Sequence, residues 1–545
     1  MASVRRLLNL SPHERTMALI PAPSVRRSAF APAAAIETSL LKYRPLRQPQ
    51  FSRMASTTSH SPPPPNPSSI SRSIHSSSAR QAGATVGSQT STTSGPESPP
   101  PTPSMTANAS PLSVLPLTQV LRSLAVTSLS ASPLLLPPSL ALMNILAHTT
   151  NPLLNPDRNP LLKQLIKKTF YVQFCAGENA AEVKATMARL RGIGFSGVIL
   201  GYAKEVVLTK DQTKELAASG LVGEDAETAF QTEVIPWAQG TLETVRLAQP
   251  GDFVALKFTG AGRQALWTLS KQLPPPAALA SAIDEICVLA RERGVRLLFD
   301  AEQQALQPGI DSWTLDYMRK YNNSETGKAC IYGTYQAYLK ATPSVVASHL
   351  RAAQKEGFTL GVKLVRGAYL GSDPRHLIHD TQADTNACYN GIAEALLRRE
   401  WCGALAPFAP ATNTNIPSNK SFPDVNMVLA THNAESVRKA RAILESGERA
   451  TECAFAQLQG MADEVSCEIL AVKNRDARTA AEKDSGLSFR PRAYKYLVWG
   501  STGECMKYLL RRAQENKDAV GRTRSGRDAM RAEVWRRLKG AFGLA

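Results

Sequence analysis

Between residues 169 and 500, short uninterrupted apolar runs alternate with stretches whose apolar residues recur every three or four positions. The runs are Gly197–Leu200, Phe253–Phe258, Arg296–Phe299, Cys330–Thr334, Gly361–Val365, Met427–Ala430, Ala454–Leu458 and Tyr494–Val498. Runs that are apolar on both alternating faces are those of strands covered on both sides, as in a parallel sheet. Pro343–Gln354 and Ala434–Leu444, lying between such runs, carry helical periodicity. Eight strand–helix units over roughly 300 residues predict an α/β fold, a (β/α)8 TIM-type barrel. A doubly wound sheet is the alternative, but no Gly-x-Gly-x-x-Gly follows the first run, which disfavours a Rossmann-type dinucleotide site.

Four segments stand outside this repeat. Residues 1–110 are Arg-, Ser- and Ala-rich at the start and Ser/Thr/Pro-rich afterwards, with few acidic side chains. That is the composition of a mitochondrial targeting segment followed by chain too polar to bury a core, so a disordered leader is expected. Residues 111–168 turn apolar, but Arg122, Pro133, Pro137 and Pro138 interrupt the roughly 20 apolar residues that a membrane span needs. Short helices forming an arm on the barrel are expected there, with peripheral membrane contact as the other reading. Residues 403–424 read as a surface insertion within a barrel of 169–520, and 521–545 as a final basic helix.

Net charge is +18, yet residues 1–150 hold 12 Lys and Arg against 3 Asp and Glu, half of the excess. A basic leader explains the charge without nucleic acid, and no basic–aromatic interleaving follows it. The 8 cysteines show no Cys-x-x-Cys spacing, so neither a disulfide frame nor a metal site is indicated.

In a barrel of this type chemistry gathers where strands end. Those positions hold Lys257, Asp300 and Glu302, Tyr335 and Gln336, Lys363, Arg366 and Tyr369, Thr431, His432 and Asn433, and Tyr496. Just after the eighth run, Arg511 and Arg512 are adjacent on a helical stretch, with Glu515 four residues beyond the first. Alone, that stretch reads as a solvated basic face with one i,i+4 pair. After an eighth barrel strand it becomes a candidate carboxylate clamp, since each guanidinium offers a rigid fork of donors. The excess of cations predicts two anionic ligands, such as a dinucleotide pyrophosphate and a substrate carboxylate.

Six motifs then share one resemblance: Phe299–Glu302 (FDAE), Tyr335–Tyr338 (YQAY), Lys363–Tyr369 (KLVRGAY), Ala430–Asn433 (ATHN), Gln457–Met461 (QLQGM) and Arg511–Asn516 (RRAQEN). In this order, within about Leu112 to Asp518, they resemble the proline dehydrogenases (proline oxidases), in the mitochondrial, fungal-like form. The resemblance implies a distorted (β/α)8 barrel with non-covalent FAD, oxidising L-proline to Δ1-pyrroline-5-carboxylate and passing electrons to ubiquinone. It implies residence on the matrix side of the inner mitochondrial membrane. By the same resemblance Arg511 and Arg512 clamp the proline carboxylate and Glu515 follows them near the flavin. Lys257, Asp300 and Tyr496 form the substrate pocket, and Leu364 and Tyr369 its packing walls. Gln336, Lys363, Arg366 and His432, with Thr431 and Asn433 beside it, contact FAD. Which of Lys363 and Arg366 approaches flavin N5 stays open. Tyr496 favours proline over hydroxyproline, whose dehydrogenases carry a smaller residue there. Hydroxyproline oxidation is the alternative within the class, and a catalytically silent regulatory or scaffold barrel the alternative outside it.

Overall fold

The apolar runs become eight parallel strands closed in chain order, with β8 returning to pair β1. They are β1 Gly197–Tyr202, β2 Phe253–Leu256, β3 Arg296–Phe299, β4 Ile331–Gln336, β5 Leu360–Val365, β6 Val425–Ala430, β7 Glu452–Leu458 and β8 Arg492–Trp499. The computed structural model describes residues 110–203, 224–323, 327–409, 422–447, 451–482, 490–516 and 520–543. The expected leader, Ser110 aside, lies outside them, as do residues 410–421 of the expected insertion, whose residues 403–408 form a 3₁₀ turn.

Period-two alternation sorts each strand into two cores. Phe253 and Ala255 of β2, Tyr332 of β4 and Val428 of β6 pack inside the barrel. Their neighbours Val254, Leu256, Ile331, Met427 and Leu429 join the shell beneath the helices. The floor is closed by Arg296, stacked 3.8 Å from the centre of the Phe253 ring and bonded to Glu452 at 2.8 Å. This polar plug leaves the opposite, C-terminal end as the open one.

One strand is shorter than its sequence suggests. β2 stops at Leu256, and Lys257 becomes the N-cap of a 3₁₀ turn, Phe258–Ala261. The cause is a distant carboxylate: Glu302 accepts both the backbone N–H and the hydroxyl of Thr259, pulling the chain out of the ladder. Lys257 therefore sits at the strand's exit, not within it.

The arm is helical. Helix α1 (Leu117–Ala131) and helix α2 (Leu136–His148) meet at 105°. Beyond them come α3 (Gln307–Tyr321), α4 (Thr342–Glu356), α5 (Gln382–Arg398), α6 (Ala434–Glu445), α7 (Thr502–Asn516) and α8 (Val520–Ala541). α1 packs on α8, where Arg537 bonds the carbonyls of Leu112 and Leu115, and α2 packs on α7.

Two titratable groups in the shell around β4 oppose each other. On α4, burial, with Arg319 adding to it, holds the His349 imidazole down to about 4, and its Nδ1 lies 2.8 Å from the Tyr335 hydroxyl. On α3, burial pushes the Asp311 carboxyl up to about 6 against a hydrogen bond from Gln307. Ordinary values are about 6.5 for His and 3.9 for Asp. From pH 6.5 down to 4 the unfolded chain takes a His349 proton that the fold refuses, so this term lowers stability, by about 3 kcal/mol in all. From pH 6 down to 4 the fold takes the Asp311 proton first, so that term raises stability, by about 2 kcal/mol after allowance for partial exposure. Asp311→Asn is therefore expected to raise the apparent Tm at pH 7.5. It should also steepen the loss of Tm between pH 6.5 and 4.5. Parallel Tm–pH curves for the two proteins would refute this.

Candidate functional site

A cavity of about 1090 Å³ opens at the C-terminal end of the barrel. Inward positions and strand exits supply its lower wall: Lys257, Asp300, Gln336, Lys363, Ala456 and Tyr496. The β5 exit supplies Arg366 and Tyr369, and the β6 exit Thr431 and His432. The upper wall is α7, through Tyr508, Arg511, Arg512 and Gln514, with Leu140 of α2 beside it. Both arginines of the pair thus face the same cavity, although they are adjacent on a helix.

The electrostatic centre is Asp300, 5% exposed, at the end of β3. Its carboxylate accepts from Lys363 Nζ at 2.5 Å and from the Tyr496 hydroxyl at 3.2 Å, and Lys257 Nζ lies 3.7 Å away. Burial alone would push the carboxyl up, but the Lys363 and Lys257 ammoniums outweigh it and hold the carboxyl below the usual range. Burial lowers Lys363, while Asp300 works to keep it charged. Lys363 Nζ also lies 5.2 Å from the centre of the Tyr496 ring. Gly201 of β1 makes room for that ring, since a Cβ there would lie 3.1 Å from the Tyr496 hydroxyl.

Among the described lining residues Asp300 is the carboxylate and Lys257, Lys363, Arg366, Arg511 and Arg512 are the cations. Such a field selects anions. Arg366 is held in place by Asn386 at 2.9 Å, the Thr431 hydroxyl at 2.6 Å and Ser436 at 2.9 Å, and it stacks over Tyr389. Gln336 Oε1 accepts from Ala368 N at 3.1 Å, and His432 Nε2 accepts from Leu458 N at 3.1 Å. The β5 and β6 loops are thereby fixed by the same side chains that line the cavity.

Two expected site residues fall outside the cavity lining, and the side chain of a third is not described. Leu364 is corrected from a pocket wall to a shell residue: with Lys363 and Val365 facing inward, pleating turns it towards the helices, where it is fully buried. Asn433, expected at the cofactor, is the N-cap of α6, its Oδ1 accepting from Ser436 N at 2.9 Å, and it is not among the residues lining the cavity. Glu515 belongs to α7, but its side chain lies outside the described residues. The sequence reading also left out Gln457 and Ala456 of β7 and Leu140 of the arm, all of which line the cavity. Gln457 was legible, since it opens one of the six motifs; Leu140 had no local signal.

A closed barrel whose strand ends deliver lysines, a carboxylate and a tyrosine to one cationic cavity is the build of a barrel enzyme. A family model described as "Proline dehydrogenase" matches residues 183–525. The chain belongs to the proline dehydrogenase family, and it is an oxidoreductase of that class. It is 29% identical over 423 residues to "Probable proline dehydrogenase, mitochondrial" of Schizosaccharomyces pombe, covering 69% of this chain and 81% of that one. It is 28% identical over 415 residues to "Proline dehydrogenase 1, mitochondrial" of Arabidopsis thaliana (69% and 75% covered). It is likewise 28% identical over 413 residues to the human protein named hydroxyproline dehydrogenase (68% and 82% covered). Among solved structures, proline utilization A (PutA) of Bdellovibrio bacteriovorus superposes with a TM-score of 0.50 at 16% identity. That match covers 74% of this chain and 41% of the other, a likeness of fold.

Proposed function

We propose that the protein oxidises L-proline to Δ1-pyrroline-5-carboxylate in mitochondria, with FAD as resident cofactor and a membrane quinone as electron acceptor. The observation that carries this reading is the joint presence, in one cavity of about 1090 Å³, of the Arg511–Arg512 pair and the Lys257–Asp300–Tyr496 group. Ligand cavities run from about 300 to 1,000 Å³, so a single proline would leave most of this one empty. An elongated dinucleotide plus a small amino acid fit the space and its cationic lining. Gln336, Lys363, Arg366, Thr431 and His432 are the residues that would hold FAD. FAD supplies the hydride acceptor.

The chain's own residues supply position and charge. Arg511 and Arg512 grip the substrate carboxylate by paired donors and so fix the ring's orientation, which is catalysis by positioning. Asp300, kept ionised by two lysines, lies opposite the clamp and favours a polar N–H over an apolar group. Lys363 and Arg366 stabilise negative charge that develops above the β5 exit. Tyr496, leaning on Asp300, closes the space beside the ring. α7 and α2 roof part of the site.

The decisive experiment is purification of the full chain followed by turnover of L-proline and hydroxyproline with a soluble quinone. A yellow protein preferring proline is expected. A colourless protein that takes up no FAD would overturn the reading and favour a silent scaffold. Preference for hydroxyproline would favour the second reading, which the human relative's name supports.

Contact with the inner membrane is part of this proposal. Among the described residues no single helix is long and apolar enough to cross a bilayer. Met143, Leu146, Leu162 and Ile166 pack against α7, while Leu134, Leu142, Ile145, Leu153, Leu161 and Leu165 stay exposed. With Arg158 and Lys168 also exposed, this is a lipid-facing surface with a basic rim. The triple variant Leu142→Gln, Ile145→Gln, Leu161→Gln is expected to reduce sedimentation with anionic vesicles several-fold while sparing turnover with a water-soluble acceptor. Undiminished sedimentation would remove the arm as the contact.

A further inference from the structure

Behind the β5 exit lies a second, smaller construction that touches no part of the cavity but holds one of its walls. Tyr338, two residues past β4, donates its hydroxyl to Asp373 Oδ2 at 2.5 Å. The other carboxylate oxygen, Oδ1, accepts from the backbone N–H of Gln304 at 2.8 Å, in the loop after β3. The backbone N–H of Tyr369 faces the same Tyr338 hydroxyl, its positive end working against the upward push of Asp373 on that group. Asp373 closes the turn on itself, its own N–H donating to the Tyr369 carbonyl at 2.9 Å. The Tyr338 backbone is pinned as well, its N–H to the Arg366 carbonyl at 2.7 Å and its carbonyl to His379 N at 2.8 Å. The ring lies so close beneath Gly367 (φ +151°) that a Cβ there would meet it at 2.4 Å. Three loops, after β3, β4 and β5, thus converge on one buried carboxylate–phenol pair.

We propose that Asp373 and Tyr338 form a latch that positions Tyr369, and with it the β5 loop, against the substrate. The assignment rests on the proline-oxidising reading of the cavity that Tyr369 lines. A hydroxyl that must both donate and accept has one free rotation, and Asp373 fixes it. With the hydrogen committed to the carboxylate, a lone pair is left facing the Tyr369 N–H. Burial, with Asp373 adding to it, pushes the Tyr338 hydroxyl well above its ordinary value, so it remains a donor at every working pH. Neither side chain touches the cavity, so both are positioning residues.

The test uses the full chain with flavin bound and L-proline as substrate. Tyr338→Phe is expected to raise KM about tenfold with kcat changed by less than about threefold. Asp373→Asn should move KM in the same direction by a smaller factor. In a Tyr369→Ala background Tyr338→Phe should cost less than about twofold, because the latch acts through Tyr369. Equal cost in both backgrounds, or no cost in either, would overturn the proposal. Hydrogen–deuterium exchange of the 366–373 peptide decides the latch without activity: Tyr338→Phe should speed exchange at Tyr369 about tenfold. Unchanged exchange sinks the latch. A wild-type protein inert towards proline, with exchange still accelerated in the variant, sinks the proline reading and leaves the latch standing.

Discussion

Arg511→Met is expected to lower kcat/KM for L-proline by about two to three orders of magnitude while the protein keeps its flavin. Arg511 and Arg512 face the cavity from α7, whose opposite face, Leu509 and Leu510, is buried against the arm. The helix is therefore held by its apolar face, and removing one guanidinium should not unseat it. A charged hydrogen bond lost from a partly enclosed site, leaving a carboxylate short of donors, costs about 3–4 kcal/mol. At about 1.4 kcal/mol per tenfold, that gives the stated factor. Arg512, 5.5 Å from the centre of the Tyr508 ring, is partly committed to that ring and should show the smaller loss when replaced. Arg511→Lys separates charge from geometry: it keeps the cation but not the fork, so recovery should be partial. Turnover by Arg511→Met within threefold of wild type would refute the clamp.

The contrast between what could and could not be read from the sequence follows from the range of the interactions involved. The eight strands were visible because a parallel sheet covered on both faces needs uninterrupted apolar runs, and these leave a local trace. The strand-end residues were visible because barrel topology sends successive exits to one end. The end of β2 was not, because Glu302 sets it from 43 positions away through Thr259. Leu364 was misplaced for a different reason. It shares a motif with Lys363, but adjacent residues of a pleated strand point to opposite faces, so the inward Lys363 and Val365 put Leu364 in the shell. Asn433 carried its own signal, an Asn directly before a helical run with a polar residue three positions on. Tyr338 lies inside the YQAY motif, yet Asp373, its partner across 35 positions, gave no sign of a role. Long-range polar pairs are what periodicity cannot show.

The second large effect is expected at Asp300. Its carboxylate is the counter-ion of two lysines, one of them 6% exposed. Removing one partner of a buried pair leaves an uncompensated charge and costs about 3–5 kcal/mol, more than the pair itself is worth. Asp300→Ala should therefore lower the apparent Tm and also abolish measurable proline turnover, since Tyr496 and Lys363 lose their common anchor. Asp300→Asn preserves shape and one acceptor for Tyr496, so it should fold better and remain at least a hundredfold impaired. The pH dependence gives the sharper check. Without Asp300, burial drives the Lys363 ammonium further below its unfolded value, about 10.4. Between its folded and unfolded pKa the unfolded chain then binds the extra proton, so stability must rise with pH. In Asp300→Asn the apparent Tm is expected to climb from pH 7 to 9 relative to wild type. A parallel pair of Tm–pH curves would mean that Lys363 stays charged with another partner, and Asp300 would lose its place at the centre of the site.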